Sequence, residues 1–66
     1  MNRSKIKALL AQHGITQKEL AIKCGKSEQA INKALNDQPW ELTVLSVAVG
    51  MICEKDPNVI PEELLN

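Results

Sequence analysis

Apolar residues recur along this chain at helical intervals, and turn-forming residues divide the pattern into four or five segments. Ile6, Leu9, Leu10 and His13 share one face while Lys5 and Lys7 lie off it. That spacing predicts a first helix from Ser4 to Gln12, stopped by Gly14. The run TQKELAIKC opens with a full start signal. Thr16 is the cap, Glu19 three residues later closes a capping box, and Ile15 with Leu20 makes a hydrophobic staple. Gly25 then supplies a joint able to take positive φ. Beyond it Ala30, Ile31, Ala34 and Leu35 form an apolar stripe, predicting a third helix from the Ser27 cap to Asn36-Asp37, where turn residues lead into Pro39. A small residue at Ala21, glycine four later and branched Ile31 six after that suit two helices crossing closely at Ala21, with Ile31 filling their angle. This is the order of a helix-turn-helix.

The segment WELTVLSVAVGMIC is rich in β-branched residues, but strict alternation fails at Val44-Leu45 and at Val47-Ala48-Val49. Leu42, Leu45, Ala48/Val49 and Ile52 fit a buried helix, predicted over Glu41–Val49 with Gly50 as its stop. Asp56-Pro57-Asn58 reads as a turn, and Pro61 followed by Glu62 and Glu63 opens a last helical turn ending in Leu64-Leu65. The expected fold is all-α and compact, with four to five helices. It forms one domain over residues 1–66, with the helix-turn-helix at 16–36 and a C-terminal packing or dimerisation segment at 40–66. Trp40, Val44, Met51, Leu64 and Leu65 are the candidates for a dimer contact, and they suit closure of a small monomer core equally well.

The polar side of the third helix carries Glu28, Gln29, Asn32, Lys33 and Asn36. Amide-rich side chains of this length can read base edges in a major groove, whereas a merely solvated face more often repeats Lys and Glu. The charge distribution agrees. Net charge is zero overall, yet residues 1–36 hold seven basic residues against two acidic, a balance of +5, and residues 37–66 hold the opposite −5. A positive half carrying the reading helix suits a polyanion approached from one side.

Other classes find little support. No apolar run reaches the roughly 20 residues of a membrane span, and the charged start MNRSKIKALLAQHG does not read as a secretion signal, so a cytoplasmic protein is expected. Cys24 and Cys53 are far apart and read as reduced core thiols, while His13 stands alone, so no metal or other cofactor is expected. No nucleophile–base–carboxylate set and no phosphate-cradling glycine loop appears. An enzyme, and with it a small-molecule substrate, is therefore not expected. His13 is simplest as a last-turn residue near a helix carbonyl end.

With these residues in view, the segment resembles the helix-turn-helix of lambdoid phage repressors and Cro proteins. TQKELAIKCG is similar to their TQxELAxKxG opening, and QAINKA at Gln29–Ala34 to a Cro recognition helix. VLSVAVGM is similar to the fourth helix of the all-helical members, and PEELL to their short fifth. The resemblance implies that Gln17 bonds a backbone phosphate and buttresses the reading helix. Ser27, Glu28, Gln29, Asn32 and Lys33 would face the major groove, and Asn36 would hold phosphate. Arg3, Thr16, Lys18 and Lys26 are the further phosphate candidates. Two departures stand out: Glu28 replaces a frequent neutral amide, and Lys26 a frequent apolar turn residue. The strand hairpin of some Cro tails is not transferred, because no Asp-Gly or Asn-Gly turn occurs here. The implied activity is repression by a dimer seated on a palindromic operator of double-stranded DNA. The competing reading is a helix-turn-helix protein-interaction module of antirepressor or antitoxin type.

Overall fold

A computed structural model describes residues 3–37 and 40–65. Pro39, expected in the turn after the third helix, lies outside the described residues. In chain order the helices are α1 (Arg3–Gln12), α2 (Gln17–Cys24), α3 (Glu28–Asn36), α4 (Leu42–Lys55) and α5 (Pro61–Leu65), and no strand occurs among the described residues.

Local sequence explains the first three. Gly14 and Gly25 adopt φ of 69° and 67°, the left-handed conformation that closes a helix. At each, the following amide reaches back to wind up the last turn: Ile15 N–H to Leu10 O at 2.8 Å, and Lys26 N–H to Ala21 O at 2.9 Å. Thr16 Oγ1 accepts from Glu19 N–H at 3.1 Å, and its hydroxyl donates to Glu19 Oε1 at 3.4 Å. The carboxylate arm of the box thus ends on the side-chain hydroxyl. Ile15 and Leu20, the two halves of the staple, are both buried. Ser27 caps α3 by accepting from Ala30 N–H at 3.1 Å.

α4 corrects the expectation. It runs through Gly50 to Lys55 and ends only at Asp56, whose N–H bonds Ile52 O. Glycine costs a helix interior about 1 kcal/mol relative to alanine, which the burial of Met51 and Ile52 just beyond it outweighs. α4 packs on each of the other four helices. Val44, Ala48, Val49, Met51 and Ile52 give it the inner face on which Ile6, Leu20, Ile31 and Leu64 close. The core is aliphatic apart from Trp40, and no polar or charged residue is buried among those described.

Four of the five dimer candidates, Trp40, Val44, Met51 and Leu64, are buried within the single chain, so only Leu65 presents an exposed side chain. Their apolar character is used in closing the core, the alternative role open to them. Ala30 is exposed, not buried, which narrows the inner stripe of α3 to Ile31 and Leu35 with Ala34 beside them. His13, at the carbonyl end of α1, lies 3.7 Å from Asp56 Oδ2 and brings the α4–α5 turn against α1.

Candidate nucleic-acid interface

α3 is set in place by its inner side. Ile31 is fully buried and Leu35 nearly so, and Ala21 of α2 is also buried, where the two helices approach. With that side fixed, Glu28, Gln29, Asn32, Lys33 and Asn36 are all exposed. A turn of 100° per residue puts Gln29 and Lys33 at the centre of the outward arc and Asn32 on its flank. That flank meets α2: Asn32 Nδ2 donates to Gln17 Oε1 at 3.4 Å.

The phosphate candidates divide by what holds them. Thr16 is engaged in its cap, and Lys18 is exposed on the first turn of α2. Asn36 Nδ2 donates to Asn32 O at 2.8 Å and lies 3.4 Å from Asn32 Oδ1. Lys26 Nζ pairs with Glu41 Oε1 at 3.1 Å, tying the α2–α3 turn to the start of α4. Arg3 donates to the backbone carbonyl of Asp37 and lies over the Trp40 ring, 5.5 Å from its centroid. It therefore sits at the exit of α3, partly shielded by an aromatic face.

The structure also brings Lys7 to this side of the molecule. Its Nζ donates to Asn36 Oδ1 at 3.3 Å. With Thr16 and Gln17 it rims a shallow cleft of about 180 Å³ floored by Leu10, Ala11, Ile15, Leu20 and Leu35. Nothing in the local pattern of α1 announces this role, because its partner is twenty-nine positions away.

Cys24 is half-buried, and burial pushes its thiol above the ordinary value, opposed by the nearby Lys26 charge and reinforced by Glu41. No group of three or more metal-ligating side chains occurs among the described residues, and no described helix is long and apolar enough to cross a membrane.

Two short helices on a left-handed glycine joint, the first buttressing the second while the second turns a polar face outward, define a helix-turn-helix unit. A helix-turn-helix family model matches residues 6–40, more than half of the chain. The chain belongs to that family of DNA-binding regulators. Neither the curated proteins nor the solved structures yield a match.

Proposed function

We propose that this chain is a sequence-specific transcription repressor of the Cro type, of the kind carried by phages and prophages, acting in the cytoplasm as a dimer on a palindromic operator. The observation that carries the reading is the division of α3. Ile31 and Leu35 are consumed by the core, and a set of hydrogen-bonding side chains stands exposed beside the start of α2. Gln29 and Lys33 serve as base readers, each worth roughly 1–3 kcal/mol of discrimination. Glu28 suits a cytosine N4 donor, and it disfavours a close phosphate.

Affinity and salt dependence come from backbone contacts by Gln17, Lys18, Lys26 and Asn36. Two copies would place α3 in successive major grooves about 34 Å apart, which requires a two-fold symmetric site. Occupancy itself is the mechanism, since a bound dimer excludes a polymerase or a rival regulator. Selection of binding sites from random duplex DNA, followed by affinity against salt, tests this. The expected result is an enriched sequence with symmetric halves and a steep negative salt slope. No enrichment together with a flat slope overturns the proposal in favour of a protein-binding module.

A further inference from the structure

Three helices meet at one continuous line of polar contacts on the reading side. Lys7 Nζ of α1 donates to Asn36 Oδ1, and Asn36 Nδ2 donates to Asn32 O and approaches Asn32 Oδ1. Asn32 Nδ2 in turn donates to Gln17 Oε1 of α2. Every step runs in the same sense, from the ammonium through two amides to a third, so each group polarises the next. The line leaves Gln17 Nε2 as its outer end, a donor with no protein partner among the described residues.

We propose that this relay is a strut that sets the angle of α3 against α2, with Asn32 as a positioning residue and not a base reader, and with Lys7 as its anchor on α1. The assignment rests on the DNA-reading proposal for the same face and narrows it. Asn32 lies on the flank of α3 and spends its amide on Gln17 and Asn36, whereas Gln29 and Lys33, at the centre of the arc, make no side-chain hydrogen bond within the described residues. Base discrimination then falls to the unengaged residues. On this assignment an exposed lysine remote from α3 in sequence bears on reading: loss of Lys7 would release Asn36 and free Asn32 to swing away from Gln17.

The test compares base-preference profiles of Asn32→Ala, Gln29→Ala and the wild type, with a double-mutant cycle between Lys7→Met and Asn32→Ala. Asn32→Ala is expected to weaken every bound sequence by a common factor of roughly three to ten, the range of one lost hydrogen bond, and to leave the profile unchanged. Lys7→Met should cost little more when Asn32 is already alanine. Relaxed preference at a single base pair in Asn32→Ala, or additive losses across the cycle, overturns the assignment.

The strut is read separately in the free protein by the side-chain amide resonances of Gln17, Asn32 and Asn36. Lys7→Met should shift those of Asn32 and Asn36 while the backbone spectrum and melting temperature hold. Unmoved resonances overturn the strut. Failure of the wild type to bind DNA would instead overturn the DNA-reading proposal while leaving this measurement intact.

Discussion

Lys26 Nζ and Glu41 Oε1 lie 3.1 Å apart, joining the turn of the helix-turn-helix to the first residue before α4. Glu41 is exposed and Lys26 partly so, and such a pair adds at most about 1 kcal/mol to the fold. Its larger effect is on any anion that approaches Lys26, since Glu41 already neutralises the charge. Glu41→Gln is expected to tighten binding to all duplexes by roughly two- to fivefold, an effect of the same size as the pair. Fluorescence anisotropy on operator and random DNA checks it. Unchanged affinity would mean that Lys26 is not turned toward phosphate.

Gln29 is exposed near the middle of the outward arc of α3, and its side chain makes no hydrogen bond within the described residues. Gln29→Ala should cost operator binding about 1–3 kcal/mol and leave nonspecific binding nearly intact. A gel-shift titration showing equal loss on both DNAs would reject base reading by this side chain.

Gly50 occupies an exposed position inside α4, with ordinary helical backbone, and an added Cβ would meet nothing within 4 Å. Gly50→Ala should therefore stabilise the protein by about 0.5–1 kcal/mol. Chemical denaturation reads the change directly, and a lower midpoint would contradict a continuous α4.

Ala21 is buried on α2 beside α3. Ala21→Val should destabilise the fold by about 1–3 kcal/mol through overpacking. A melting temperature equal to the wild type would show that the helices do not approach closely there.

The start of α2 and the joint at Gly25 were legible in the sequence because they rest on neighbours: Thr16 with Glu19, Ile15 with Leu20, and a glycine that alone enters the left-handed region cheaply. The length of α4 was not, because Gly50 is a local stop signal and its neighbours are buried by residues from elsewhere in the chain. The same limit applies on the reading side. Its exposed residues follow from the period of α3, but the attachment of Lys7 to Asn36, the pairing of Lys26 with Glu41 and the seat of Arg3 over Trp40 all depend on chain reversals that no window of the sequence contains. Burial of Trp40, Val44, Met51 and Leu64 likewise depends on the packing of the helices around α4, which the local pattern does not contain.

Ile31 and Leu35 alone anchor α3 deep in the interior, and that interior admits no polar partner from the outer side. Positions 28, 29 and 33 can accordingly drift without disturbing the scaffold that carries them. A lineage of such proteins can exchange one target sequence for another by a few surface substitutions, and a library randomised at those three sites should yield folded variants with new preferences.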